Sequence, residues 1–154
     1  MTRGPDWYAA GGHGLSEILD RLGDPEARGR ALAADEASDY FRGRYVDRDA
    51  AVAAVARLVA MAVADEDEDV REAALHACLE AGEFYELPAA VFEPLVPVMA
   101  GWSAELIGYV LAMLGVTHDA AARPVIASFA GLPDPSVRRE AADALVELPG
   151  RVPP

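Results

Sequence analysis

The chain has 154 residues, 53% of them apolar, with 26 acidic side chains against 13 basic ones and a net charge of -13. A compact domain of this length buries about 68–70% of its unfolded surface, so it supports a core without staples, and the composition is not that of a disordered chain. The acidic excess argues against a nucleic-acid or anionic-membrane binder, since both need cationic contacts; it suits a basic protein partner and also serves solubility.

The chain starts MTRGPDWYAAGG, without the apolar run of a secretion signal, which predicts a cytoplasmic protein. Gly11–Gly14 (GGHG) reads as a flexible lead-in, because a phosphate-cradling glycine loop would follow a strand. Leu15, Ile18, Leu19 and Leu22 recur at helical spacing. Asp24-Pro25 then reads as a helix opening, the Asp capping free N–H groups and the Pro at the first helical position, with Ala27, Ala31 and Ala34 as the apolar stripe. From Ser38 to Asp49 (SDYFRGRYVDRD) the composition turns aromatic and charged, which predicts an insertion loop or short extra turn.

Val52, Val55, Leu58, Val59 and Val63 predict the next helix. It lies in the longest apolar stretch, Ala50 to Ala64, which Arg57 interrupts and which is too short for a bilayer span of roughly 20 residues. Asp67 opens its partner, with Val70, Ala74, Ala77 and Cys78 as the stripe. A further helix is expected from about Pro88 to Ala100, followed by one opening at Ser103 and carrying Leu106, Val110, Met113 and Leu114. Asp119 is a cap for Val125, Ile126 and Phe129, and Asp134-Pro135 opens the last helix with Val137, Ala141, Ala144 and Leu145. Strand alternation and hairpin turn signals are weak throughout. The expected fold is therefore all-α, with four helix pairs at roughly 15–38, 49–82, 88–116 and 119–148 in a single domain over 1–154.

One phrase is written three times: DPEARGRALAAD from Asp24, DEDVREAALHAC from Asp67 and DPSVRREAADAL from Asp134. Self-similarity at this period predicts a solenoid, in which each pair buries its apolar face against the next. An Asp before the second helix, then Val-Arg, then Ala and Ala-Leu, resembles the HEAT repeat. The residues that carry the resemblance are Asp134, Val137, Arg138, Ala141, Ala144 and Leu145, then Asp67, Val70, Arg71, Ala74 and Ala77, then Asp24, Arg28 and Ala31. It covers roughly residues 15 to 148, and the Ser103 copy departs from the pattern because no Arg follows. The resemblance implies a right-handed alpha-alpha superhelix, a short HEAT-like solenoid. It also implies that Asp67, Arg71, Asp134 and Arg138, with Asp24 and Arg28, bridge the helix turn and the neighbouring repeat as scaffold. Such a motif specifies fold, not function.

Each chemistry-bearing cluster has two readings. The run Asp65–Asp69 (DEDED) is a hook for a basic partner or simply acid placed against a helix N-terminus. It lacks the glycine at the sixth position and the Glu at the twelfth of a calcium loop, where Val70 and His76 stand. His13, His76 and His118 have no ligand spacing, and the lone Cys78 lies on an apolar stripe, so neither a metal nor an internal disulfide is expected. Tyr40, Phe41 and Tyr45 interleave with Arg42, Arg44 and Arg48, a pattern shared by single-strand stacking platforms, protein hot spots and plain capping of a helix pair; the acidic remainder argues against nucleic acid.

No catalytic set or cofactor motif is present in the sequence. The expectation is a non-catalytic protein-binding module with an acidic concave surface, serving as an immunity or antitoxin-type inhibitor of a basic partner protein. A lyase-type tailoring enzyme and a scaffold or regulatory subunit are the alternatives; HEAT-like proteins also include DNA glycosylases, but those need a cationic groove. The candidate contact residues are Glu72, His76, Glu80, Tyr109, Arg139, Asp143 and Glu147 on the second helices, and Tyr40, Phe41, Arg42, Arg44 and Tyr45 in the predicted loop. The bias to Ala, Gly, Pro, Val and Arg, with no Lys, Asn or Gln, looks like a high-GC bacterial coding sequence.

Overall fold

The computed structural model of the chain describes residues 13–149. They are all-helical: α1 His13–Arg21, α2 Ala27–Gly43, α3 Arg48–Ala64, α4 Glu68–Phe84, α5 Val96–Met99, α6 Ala104–Val116, α7 Arg123–Phe129 and α8 Pro135–Glu147. Two 3-10 segments, Ala89–Leu95 and Ala120–Ala122, precede α5 and α7. No described helix is long and apolar enough to cross a membrane. The described residues fall into two compact units, one ending at Tyr85 and the other beginning at Glu86.

In the first unit α1 packs on α2, α3 on α4, and α2 makes its most extensive contact with α4. The second helices of the two hairpins therefore meet. That contact is built mainly of small side chains, with Ala33, Ala34 and Ala37 of α2 and Ala74, Ala77, Cys78 and Ala81 of α4 fully buried. Such residues let helix axes approach toward the short end of the roughly 8–10 Å range. Leu58, Val55 and Val59 of α3 and Leu75 of α4 supply the bulk.

The predicted insertion loop over 38–49 is mostly helix. α2 runs on to Gly43, because Tyr40 and Phe41 extend the stripe of Ala33, Ala34 and Ala37 at the same spacing and are buried with it. Only 44–47 connects α2 to α3. Arg44 ends α2 in the left-handed conformation at φ 54, its N–H donating to the Phe41 carbonyl. The glycine-bearing lead-in also shortens: His13 and Gly14 already belong to α1, while Gly11 and Gly12 lie outside the described residues.

In the second unit α6 packs on α8 and α8 on α7. The helix expected from Pro88 to Ala100 is instead a 3-10 segment followed by a single α-turn. Pro94 and Pro97 explain the break, since each lacks an N–H and crowds the preceding turn. Asp119 ties this segment down. Its Oδ1 accepts from the Ala121 N–H at 2.9 Å and its Oδ2 from the Ala89 N–H at 3.1 Å. These two hydrogen bonds hold the Asp119 carboxyl below its ordinary pKa. Ser103 caps α6 through the Leu106 N–H, and Gly115 lets α6 approach the Ala144 backbone of α8.

Candidate functional site

α4 carries the most sharply divided surface. Val70, Ala74, Ala77, Cys78 and Ala81 form its buried stripe. Asp69, Glu72, His76, Glu80 and Glu83 recur at three-and-four spacing on the opposite side, all at least partly solvent-accessible. Three predicted contact residues, Glu72, His76 and Glu80, thus share one helix face. Glu80 is tied across to α2, its Oε1 accepting from Arg42 Nε at 2.7 Å, and Arg42 Nη1 also lies 3.4 Å from Asp39 Oδ1.

The acidic run before α4 does three different jobs. Asp67 is the N-cap, its side chain accepting from the Val70 N–H at 3.1 Å. Glu66, Glu68 and Asp69 are exposed. Asp65 turns inward, with only 7% of its side chain exposed, and pairs with Arg30 of α2. Burial alone would push the Asp65 carboxyl up, but hydrogen bonds from Arg30 and from the Asp67 N–H together hold it below its ordinary value.

The arginines explain where the positive charge goes. Arg71 donates to the Ala62 and Asp65 carbonyls at 3.1 and 2.6 Å, and Arg138 to those of Leu132 and Pro133 at 3.0 and 2.6 Å. Each sits four residues after its N-cap, Asp67 or Asp134, and reaches the carbonyl two residues before that cap. The same geometry recurs at α2, in a different register from the written phrase. The N-cap there is Glu26, without a side-chain cap bond, and Arg30 donates to the Asp24 and Pro25 carbonyls at 2.9 and 3.1 Å. Arg28, which the phrase places in this role, is exposed, and Asp24 stands two residues outside the helix, accepting from the Glu26 N–H at 2.8 Å. Arg57 and Arg123 likewise donate to main-chain carbonyls, of Leu19 and Pro149. Five arginines therefore direct guanidinium N–H groups at helix ends and turns, while Glu66, Glu68, Asp69 and Glu83 face solvent.

The predicted loop residues separate by burial. Phe41 is fully buried and meets the Tyr85 ring edge-on, and Tyr40 is buried beside Tyr45 in the same geometry. Phe41 has no exposed surface to offer a partner, which corrects its expected role, whereas Tyr40 keeps 6% of its surface accessible and lines a depression between α1 and α2. The Tyr85 hydroxyl donates to the Val46 carbonyl at 2.7 Å and fixes the 44–47 connection. Arg44 stands over the Phe84 ring, 5.7 Å from its centre, while Arg42, Arg44 and Tyr45 are exposed.

In the second unit Arg139, Asp143 and Glu147 fall on one exposed face of α8, and Tyr109 is half-buried on α6. Glu147 faces His118 at 3.5 Å. Cys78 is fully buried, and burial pushes its thiol pKa well up, so it is a core side chain and not a nucleophile. The residues that sequence reasoning missed are Arg30 and Asp65. Arg30 was readable from its spacing of four after Glu26; nothing in the charge run singles out Asp65. No protein-family model and no curated protein matches the chain.

Proposed function

We propose that the chain is a HEAT-like repeat protein of the cytoplasm that binds a basic protein and carries out no chemistry on it. The observation that carries this reading is the division of charge. Glu66, Glu68, Asp69, Glu72 and Glu83 of α4 and its lead-in are at least partly exposed, and none of the ion pairs among the described residues engages them, so this stretch concentrates negative charge toward solvent. Such a field steers a cationic partner and raises its association rate, and salt screens it. The meeting of second helices within each unit, and the arginine four residues after three N-caps, support the repeat reading.

An inhibitor of the immunity or antitoxin type is the role that best fits a small acidic binder of a basic protein. The test is affinity capture with quantitative mass spectrometry, comparing wild type with the Asp69→Arg, Glu72→Arg variant at several salt concentrations. A basic protein retained stoichiometrically by wild type, and lost from the variant and at high salt, supports the reading. Retention indifferent to both variant and salt overturns it.

A further inference from the structure

Between α1 and α2 lies a depression of about 320 Å³, at the small end of the range for ligand pockets. Its floor is apolar: Ile18 and the Tyr40 ring, both buried. Its walls carry the carboxylates of Glu17, Glu36 and Asp39 and one cation, Arg21. A methyl group at Gly14 would overlap the Tyr40 hydroxyl, so glycine is what lets that hydroxyl reach this end of the depression.

Arg21 bridges Glu36 through two guanidinium N–H groups, so a planar guanidinium already docks on this rim. Glu17 is exposed beside it, and Asp39 lies only loosely against Arg42 at 3.4 Å. Glu17 and Glu36 are also close enough to push the Tyr40 hydroxyl pKa up, together with burial as the larger cause. A floor that covers methylenes beneath a rim that accepts a forked donor is matched by an arginine side chain, whose stem packs while its head is paired. We propose that this depression is a subsite for an arginine side chain of the basic partner, an inference that rests on the protein-binding reading above.

The test titrates the full chain with N-acetyl-arginine amide, with the lysine amide and the neutral glutamine amide in parallel, while backbone amide resonances are followed by NMR. Saturable shifts at Gly14, Ile18 and Tyr40 are expected with a Kd of roughly millimolar order, as befits one side chain. The lysine amide binds several-fold more weakly and the glutamine amide leaves the resonances unmoved. Glu17→Gln with Asp39→Asn, both surface positions, weakens arginine amide binding about tenfold without lowering the melting temperature. Absent saturation, an equal response to the glutamine amide, or unchanged affinity in the double variant overturns the subsite. The two readings fail separately: a basic partner lost by the α4 variant but kept by Glu17→Gln, Asp39→Asn sinks the subsite and leaves the binding function standing.

Discussion

Arg30 grips both carboxylate oxygens of Asp65, Nε to Oδ2 at 2.7 Å and Nη2 to Oδ1 at 3.3 Å, while its Nη1 donates to the Asp24 and Pro25 carbonyls. One guanidinium thus joins the start of α2 to the turn between α3 and α4. Substituting Asp65→Ala leaves that part-buried group without its carboxylate and is expected to cost about 2 kcal/mol, in the range for hydrogen bonds to charged groups. Chemical denaturation followed by circular dichroism measures it, and a midpoint equal to wild type refutes the link.

The same pair gives an acid dependence. The Asp65 carboxyl is held below its ordinary value of 3.8 in the folded chain, so its contribution is fully present above that value. It is lost as pH falls through the lowered folded value. The stability gap between wild type and Asp65→Asn is therefore expected to be constant well above pH 3.8 and to close progressively as pH falls below it. A gap that persists unchanged into acid would mean that ionisation of Asp65 contributes nothing.

The register of α2 makes a sharper test, because two arginines compete for one role. The written phrase selects Arg28, four after Asp24; the geometry selects Arg30, four after Glu26. Arg28→Ala is expected within about 0.5 kcal/mol of wild type, as for an ordinary exposed site. Arg30→Ala should lower the melting temperature clearly, and equal melting of the two variants would reject the shifted register. The error in the sequence reading has a physical origin. Asp-Pro opens α8 with Pro135 as its first residue, but at Asp24 the chain makes an Asx turn first and starts the helix two residues later. Caps at Asp67, Ser103 and Asp134, the stripe of α4 and the all-helical class were legible because spacing and capping are local. The ending of α2 at Gly43 was not, because a switch from Ala to aromatic residues resembles a loop in composition while continuing the same buried stripe. Nor was Asp65 separable from its four acidic neighbours, since only its partner 35 residues away distinguishes it.

Ser38 is buried in α2 with its hydroxyl unpartnered among the described residues. A desolvated hydroxyl without a hydrogen bond costs about 1–3 kcal/mol, and Ala is the better helix former. Ser38→Ala is thus expected to stabilise the first unit by roughly 1 kcal/mol. A lower melting temperature in the variant would show that the hydroxyl has a role this packing does not account for.

At the α6–α8 crossing a methyl group on Gly115 would lie 3.0 Å from the Ala144 Cα and 3.3 Å from its carbonyl oxygen. Those are main-chain atoms, so the helices themselves must separate. Overpacking of this kind costs about 1–3 kcal/mol, against about 1 kcal/mol recovered from helix propensity. Gly115→Ala is expected to destabilise the second unit modestly, and thermal melting that rises instead would show that the crossing has slack.

Glu80 differs from its neighbours on α4 because it answers Arg42, so a simple reversal at Glu80 disturbs both the surface field and the α2–α4 link. Exchanging the two, Arg42→Glu with Glu80→Arg, keeps the pair and the net charge while moving a negative charge from α4 to α2. Arg42 is exposed while Glu80 is partly buried, and a pair open to solvent on one side contributes little to stability, so the swapped chain, which keeps the pair, should melt close to wild type. Partner binding should nevertheless weaken, mostly through a slower association rate, if the basic protein reads the α4 face locally. Association unchanged in the swapped chain, beside association lost in Asp69→Arg, Glu72→Arg, would place the contact at the N-terminal end of α4 and leave Glu80 outside it.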